Sequence, residues 1–170
     1  MTLISLDLGT TSIRAIAFNQ SLTPIAHASE ITKQSYPHSG WVEQDAMQLW
    51  KSAESVLKEV LSQVSSVHAI GLTNQRETTV LWNKKTGHPL HQAISWQCRR
   101  TADRCASIPE ETQERFRQKT GLRVDAYFSA SKLEWLFNAY PGSREQAQRG
   151  ELLFGTIDTW ILWNLTDKTV

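Results

Sequence analysis

The stretch LISLDLGTTSIRAIAF, Leu3–Phe18, has the pattern of a strand, a tight turn and a second strand. Its first apolar run ends at Asp7 and GTTS follows after Leu8, which is typical of a buried strand that enters a turn. Beyond the turn, Ile13, Ala15 and Ala17 occupy every second position, as in a strand with one buried face. We therefore predict that the chain starts with a β-hairpin.

The segments after this hairpin predict an α/β layer. PIAHASEIT fits a third strand beside the second, and Asp45 is the predicted N-cap of an amphipathic helix, with Gln48 at the capping-box position. The apolar positions of that helix are Met47, Trp50, Ala53, Val56, Leu57, Val60, Leu61 and Val64. The run VHAIGLT after it fits a strand buried on both faces of a parallel sheet. A strand, a crossover helix and a strand together indicate an α/β fold.

The second half of the chain is predicted to be mainly helical. Cys98, Ala102 and Cys105 share one face of a first helix. A second helix has Ser129 as its candidate cap and Pro141 as its stop. Its apolar face consists of Leu133, Leu136, Phe137 and Tyr140. ETTVLWN and LLFG are predicted as strands, and TIDTWILWNL as the last helix.

The composition is that of an ordinary globular chain of 170 residues, 40% hydrophobic and 21% charged. The net charge of +1 does not suggest the basic patch or stripe that proteins use to bind nucleic acids or membrane surfaces. We predict that both cysteines are reduced, buried thiols, and no Cys/His cluster has the spacing of a metal site. Because there is no basic leader and no apolar run of about 20 residues, we predict a cytoplasmic protein without nucleic-acid or membrane partners.

The predicted turn of the hairpin carries groups that hold a phosphate. Gly9 lets the backbone approach a ligand closely. Hydroxyl and backbone N–H donors come from Thr10, Thr11 and Ser12, and a turn can aim several of them into one concavity. Arg14 is long enough to reach a phosphate at this turn. The segment is a candidate phosphate-binding hairpin that differs from the Walker loop, whose motif the sequence lacks.

Asp7 ends the first predicted strand and is a candidate ligand of Mg²⁺. Magnesium prefers one or two carboxylates together with phosphate oxygens, which the adjacent turn would supply through its ligand. On these residues alone, a polar hairpin turn with an exposed aspartate is an equally good interpretation.

The stretch NQRETT places Arg76 beside Glu77 directly after a buried strand. An arginine offers only donors and a carboxylate only acceptors, so the two together can bind vicinal hydroxyls, each of which donates and accepts. Ligands bind at the carboxyl ends of strands in open α/β sheets, which favours a site. The alternative is an Arg–Glu surface pair, which is worth at most about 1 kcal/mol.

Trp96 and Tyr127 occupy predicted junctions between strands and helices. Aromatic residues at such positions are usually part of the core. The alternative is an aromatic wall that packs against the carbon skeleton of a small polyol.

The quoted motifs, with YPHSGWVEQD, WQCRRT, YFSASK and GELLFGTIDTWILW, resemble the N-terminal domain of the FGGY carbohydrate kinases over nearly the whole chain. NQRETT and WQCRR are similar to the members of that family that act on glycerol. Leu8, Ile13 and Ala126 depart from the family pattern, which usually has glutamine, serine and proline there. The resemblance implies an actin-like, ribonuclease-H-like ATPase domain, with a mixed sheet and flanking helices. It also implies that residues 1–170 are part of that domain and that a second, nucleotide-binding domain lies outside them.

The same resemblance implies the chemistry and the residue roles. The reaction is ATP-dependent phosphorylation of glycerol to sn-glycerol 3-phosphate with Mg²⁺, by an enzyme that can be a homo-oligomer. Asp7 is the implied magnesium ligand, and the implied nucleotide and phosphate contacts are Thr10, Thr11, Ser12 and Arg14. The implied glycerol contacts are Arg76, Glu77, Trp96 and Tyr127. The catalytic aspartate of the family lies beyond residue 170. Two alternatives are a non-catalytic product with residual polyol or phosphate binding, and a related FGGY kinase for another polyol or sugar.

Overall fold

The computed structural model describes residues 1–169, which divide into two compact units. The first unit contains Met1–Gln34, Gln44–Arg76 and the described residues from Gly155 onward. The second contains Ser35–Glu43 and Glu77–Phe154.

Strands dominate the first half of the chain, and four consecutive helices, α2 to α5, follow β7. The strands are β1 (Thr2–Leu8), β2 (Ser12–Phe18), β3 (Pro24–Ile31), β4 (Glu43–Gln44), β5 (Val67–Asn74), β6 (Val80–Asn83), β7 (Ala93–Ile94) and β8 (Leu152–Gly155). The helices are α1 (Ala46–Gln63), α2 (Ala102–Ala106), α3 (Glu110–Thr120), α4 (Ser129–Ala139), α5 (Ser143–Gln148) and α6 (Ile157–Leu165). None of the helices described between residues 1 and 169 has the length and hydropathy of a bilayer-spanning segment.

The first unit is built on a mixed sheet with the strand order β3-β2-β1-β5. β1 pairs with β2 in antiparallel and with β5 in parallel orientation, and α1 is the crossover between the parallel strands. The predicted hairpin, the third strand beside it and the α/β crossover are therefore confirmed. Ile13, Ala15 and Ala17 are fully buried, as their alternation predicts.

Helix α1 begins where the sequence predicts, and Ala53, Val56, Leu57 and Val60 of its predicted apolar face are buried. The Asp45 carboxylate accepts hydrogen bonds from the backbone N–H groups of Met47 (2.8 Å) and Gln48 (3.0 Å), which confirms the N-cap. The Gln48 amide donates to Ser52 (3.3 Å), so its side chain is not used for a capping box. The buried residues are Ala46, Leu49, Ser52, Ala53, Val56, Leu57 and Val60, and the prediction was wrong for Leu61, which is 41% exposed.

Strand β5 is parallel to β1 as predicted, but the prediction that both its faces are buried was wrong. Ala69, Ile70 and Gly71 are exposed, with Ile70 at 43%. In the sheet of the described residues β5 is an edge strand, because β1 is its one neighbour. Apolar residues of a parallel strand are covered only when other elements pack on both of its faces.

The second unit has a core formed by Val42, Leu81, Ile94, Cys98, Leu136 and Leu152. Leu133, Phe137 and Tyr140 pack against this core, which confirms the predicted apolar face of α4. The first predicted helix was placed too early, because Cys98 lies in a turn in which its N–H donates to Ser95 O (3.0 Å) and α2 begins at Ala102. Both cysteines are buried free thiols, as predicted.

A buried ion pair lies beside this core. The Arg100 side chain is fully buried, and its guanidinium lies 3.9 Å from the ring centroid of Trp41 and 4.5 Å from that of Trp135. It donates to the Glu43 carboxylate, which also contacts the His91 ring (2.8 Å). Burial raises the pKa of Glu43, but the hydrogen bonds and charges of Arg100 and His91 outweigh it and hold that pKa below its ordinary value.

Replacing the Glu43 carboxylate should destabilise the protein in a pH-dependent way. Glu43→Gln leaves the Arg100 charge buried without its counter-ion, so we expect a loss of about 3 kcal/mol in the free energy of unfolding at pH 7. Because the folded-state pKa is depressed, this stabilisation is present above the ordinary carboxyl pKa and disappears as the pH falls through the lower folded-state value. Urea titrations at pH 7 and under acid conditions measure the difference.

The exposed pair of Arg104 and Glu134 provides the control (3.1 Å; side chains 53% and 38% exposed). Glu134→Gln should change stability by at most about 0.5 kcal/mol at either pH. An equally small effect of Glu43→Gln at pH 7 would contradict the stabilising role of the buried pair.

Candidate functional site

The sequence-predicted site residues fall into two groups. Asp7, Thr10, Thr11, Ser12, Arg14 and Arg76 belong to the first unit, whereas Glu77, Trp96 and Tyr127 belong to the second. The first group lies at the ends of β1 and β5 and at the start of β2, and in the second group Tyr127 lies just before α4.

In the first unit, the parallel pairing of β1 and β5 brings the ends of two strands to one edge of the sheet. Leu8 lies opposite Asn74, and the next residue, Gln75, donates its backbone N–H to Leu8 O (2.9 Å). The Gln75 amide also donates to Gly9 O (3.4 Å). Arg76 therefore lies at the same sheet edge as the predicted phosphate-binding turn.

Two neighbouring residues fix the backbone of that turn. The Thr10 carbonyl accepts from Thr32 Oγ1 (2.6 Å) and from Gln44 Nε2 (3.1 Å). The Thr11 carbonyl accepts from the backbone N–H of Thr32 (3.0 Å). Because the carbonyl groups are engaged in this way, the turn has a fixed shape. Thr11 is exposed, and Thr10 and Ser12 are half-buried, so all three remain partly accessible to a ligand.

Asp7 and Arg14 are direct cross-strand neighbours and form an ion pair (3.0 Å). Their side chains are 37% and 56% exposed, so the pair is worth at most about 1 kcal/mol and can be exchanged for a ligand phosphate. Within residues 1–169, no three His, Cys, Asp or Glu side chains form a metal-binding group. The donor set of Asp7 therefore fits Mg²⁺ only when phosphate oxygens or water complete the shell.

Two donors at this edge are available to a ligand oxygen. Asn74 Oδ1 accepts from the backbone N–H of Arg76 (3.1 Å), which fixes the orientation of the Asn74 amide. Asn74 Nδ2 is buried without a hydrogen-bond partner in residues 1–169. A buried donor is normally satisfied, so an oxygen atom of water or of a ligand is expected there. The Arg76 guanidinium is exposed and forms no ion pair with any described residue. It is not used in a surface ion pair.

The backbone at Arg76 and Glu77 is strained. Both residues have positive φ (26° and 58°), which is uncommon outside glycine and costs on the order of 1 kcal/mol or more for each residue. Such strain persists only when the surroundings impose it, and it concentrates at functional sites.

The Glu77 carboxylate is held at the start of α4. Its Oε2 accepts from the backbone N–H (3.2 Å) and the hydroxyl (3.1 Å) of Ser129, the first residue of the helix. Ser129 was predicted as the cap of α4; instead Phe128 is the N-cap residue, and Glu77 supplies the capping acceptor. A carboxylate has about four acceptor positions, so capacity for ligand hydroxyls remains.

Trp96 and Tyr127 lie together in the second unit. The backbone N–H of Trp96 donates to Thr78 Oγ1 (3.2 Å), and the backbone N–H of Tyr127 donates to Asp125 Oδ1 (2.7 Å). The two rings are 6.0 Å apart at 68°, an edge-to-face arrangement, and both are half-buried. They are therefore neither completely buried in the core nor fully exposed, which is compatible with an aromatic wall.

Asp125 fixes the turn that presents Tyr127. Burial raises the pKa of Asp125, but the hydrogen bond from the Tyr127 N–H and the Arg99 guanidinium (2.8 Å) outweigh it and lower that pKa below its ordinary value. The carboxylate therefore stays ionised and keeps its hydrogen bond to the Tyr127 backbone at neutral pH.

Lys132 is a buried residue of this unit that the sequence patterns did not single out. Its side chain is fully buried, and its ammonium donates to the backbone carbonyls of Glu77 (2.9 Å) and Tyr127 (2.7 Å). A signal was present: Lys132 lies three residues after Ser129 and four before buried Leu136, so it shares the inward face of α4.

Comparison with known proteins agrees with this architecture. The model of the FGGY family of carbohydrate kinases, N-terminal domain, matches residues 2–170. The chain belongs to this family. A relative, the glycerol kinase of Halorhodospira halophila, is 52% identical to this FGGY chain over 169 residues, which are 96% of the chain but 33% of that protein. The chain thus spans about a third of the length of the curated relatives it matches.

Solved structures of FGGY kinases share the fold. The glycerol kinase of Plasmodium falciparum with ADP superimposes with a TM-score of 0.90 at 28% identity, covering 98% of this chain and 34% of that one. A xylulose kinase from Rhodospirillum rubrum gives a TM-score of 0.81 at 30% identity, covering 96% and 33%. The predicted actin-like ATPase fold, with its mixed sheet and flanking helices, is confirmed.

The turn of the hairpin should not tolerate a side chain at Gly9. A Cβ there would lie 2.7 Å from the Ser12 carbonyl oxygen, so we expect Gly9→Ala to shift the turn and lower the free energy of unfolding by about 1–3 kcal/mol. Gly71→Ala in exposed β5 is the control, because its Cβ would meet nothing nearer than Ile4 O at 4.0 Å. Chemical denaturation measures both variants, and equal stability of the two would contradict the close approach at Gly9.

Proposed function

We propose that this chain is the N-terminal, polyol-binding third of an ATP-dependent kinase that phosphorylates glycerol to sn-glycerol 3-phosphate. The observation that carries the proposal is the Glu77 carboxylate, which is bound by Ser129 while the Glu77 backbone is left-handed. The same unit contains the paired rings of Trp96 and Tyr127. The glycerol kinases among the relatives support glycerol as the substrate.

The proposed polyol contacts divide the work by chemistry. Glu77 accepts hydrogen bonds from glycerol hydroxyls, and Arg76, the preceding residue, donates to them. Trp96 and Tyr127 pack against the carbons and exclude water from that side. Neutral vicinal hydroxyls suit a donor and an acceptor together, whereas an anion would be repelled by the carboxylate.

The proposed phosphate end lies at the turn of the first unit. Thr10, Thr11 and Ser12 donate to phosphate oxygens, and Arg14 contributes charge when it leaves Asp7. Asp7 would hold Mg²⁺, directly or through water, and the bound ion would neutralise charge that develops on the transferred phosphoryl group. ADP in the Plasmodium falciparum glycerol kinase structure supports ATP as the phosphoryl donor.

The complete reaction is proposed for the full-length protein. Phosphoryl transfer depends on positioning and on charge stabilisation, which need the nucleotide and the polyol in line. We propose that the second, nucleotide-binding domain and the aspartate that takes the proton from the attacked hydroxyl are supplied by residues outside this third.

The test is a coupled assay of ADP release by the full-length protein with glycerol, xylulose, gluconate and ribitol. The proposal predicts that kcat/KM is highest for glycerol and that turnover requires Mg²⁺. A preference for xylulose would favour a related FGGY kinase. Glycerol binding in a calorimeter without any ADP release would favour a non-catalytic product, and either result overturns the proposal.

Arg76 gives a residue-level prediction. Arg76→Ala should lower kcat/KM for glycerol by about 2 kcal/mol of transition-state stabilisation, because a substrate hydroxyl loses a charged donor. Arg115→Ala on exposed α3 is the control for removing an arginine and should leave kcat/KM unchanged. If both variants retain the wild-type kcat/KM, Arg76 is not a polyol contact.

A further inference from the structure

Lys132 occupies an unusual environment for a lysine. Its side chain is fully buried, although lysine is almost never fully buried unless it is paired. Its two hydrogen-bond acceptors are backbone carbonyls, those of Glu77 (2.9 Å) and Tyr127 (2.7 Å). These are two of the residues whose side chains are proposed to contact the polyol.

We infer that Lys132 is a positioning residue for the polyol site, which holds the backbones of Glu77 and Tyr127 in place from inside the second unit. The inference rests on the proposed function for the identity of the ligand. The hydrogen bonds of Lys132 stand independently of it.

The backbone conformation of Glu77 requires support from its surroundings. A left-handed glutamate is strained, so interactions elsewhere must compensate the strain. The Glu77 carbonyl accepts from Lys132 Nζ at 2.9 Å and from the hydroxyls of Thr79 and Ser129 at 3.2 Å each. The hydrogen bond from Lys132 is the shortest of the three, and Lys132 is the donor that carries charge. Charge-assisted hydrogen bonds are stronger than neutral ones.

Helix α4 presents two Glu77-binding residues on one face. Ser129 and Lys132 are three residues apart, so they share one face of the helix. Ser129 binds the Glu77 carboxylate, and Lys132 binds the Glu77 carbonyl. One helical turn thus fixes the side chain and the backbone of the same residue, while Lys132 also binds Tyr127 O. The acceptor and the aromatic ring are therefore set by one rigid element, as precise binding sites require.

The protonation state agrees with this role. Burial lowers the pKa of Lys132 to about 8, and the negative charge of Glu77 acts in the opposite direction. The ammonium form therefore predominates at neutral pH and supplies charged donors to both carbonyls.

The test compares Lys132→Met, Glu77→Gln and the double variant in the full-length protein. Lys132→Met should raise KM for glycerol by about tenfold, since the two buried carbonyls lose their donor, while KM for ATP stays within about twofold. In the Glu77→Gln background, Lys132→Met should raise KM for glycerol by less than about a further threefold, because both substitutions weaken the same contact with glycerol. Parallel changes in both KM values, or fully multiplicative effects, would overturn the inference.

Arg100→Met is the matched control. It also removes a fully buried charge from the second unit, but the wild-type Arg100 pairs with Glu43. This control variant should lower the Tm and leave KM for glycerol within about twofold. If Lys132→Met is not recovered in folded form, Lys132→Gln, which keeps N–H donors, replaces it. This variant should raise KM for glycerol by about threefold, and an unchanged value would overturn the inference.

Amide hydrogen exchange separates this inference from the proposed function. If the wild-type protein turns over no glycerol, the proposed function fails, and exchange then decides the role of Lys132. Lys132→Met should accelerate exchange in peptides that cover residues 76–79 and 126–129, and Arg100→Met should accelerate it elsewhere. Unchanged exchange in both peptides, or the same pattern in both variants, would contradict positioning by Lys132.

Discussion

The parallel pairing of β1 with β5 is the constraint on which the first unit depends. It sets Leu8 opposite Asn74, so the turn after β1 and the residues after β5 meet at one edge of the sheet. The antiparallel partner β2 returns from that turn, and α1 must cross over the sheet to connect the parallel strands. The β1–β2 register sets Arg14 opposite Asp7, and the β1–β5 register brings the residues after β5 to the same edge as the turn.

In the second unit, the main constraint is the support of the strained backbone of Glu77. Glu77 is left-handed, and its carboxylate and carbonyl are both bound by the first turns of α4. The same helix turns Leu136 into the core, so the packing that orders α4 also orders the proposed polyol contacts. Stability and binding are therefore coupled through one helix.

Sequence patterns predicted the hairpin, the crossover and the helix face of α4 because each has a clear hydrophobic period. They failed for α3, which has no buried residue and therefore no apolar stripe. Its remaining signals were at its ends: Glu110 and Glu111 in the first turn, and Gly121 in the left-handed conformation after the last. They failed for β5 as well, since burial of both faces depends on neighbours that a strand's own sequence does not specify.

The candidate site was predictable as a set of residues but not as a mechanism of support. Arg76, Glu77 and Trp96 stand out by residue type shortly after strands. Tyr127 stands out just before α4, although the structure describes no strand directly before it, contrary to the prediction. Lys132 does not, because a lysine in an amphipathic helix is expected to face solvent until tertiary contacts are known. The central claim, that the second unit binds glycerol through Glu77 and the two rings, is tested most directly by a crystal structure of the full-length protein with glycerol. The account predicts a glycerol hydroxyl within hydrogen-bond distance of the Glu77 carboxylate and glycerol carbons against Trp96. Ordered glycerol bound elsewhere, with the Glu77 carboxylate contacting only Ser129, would contradict it.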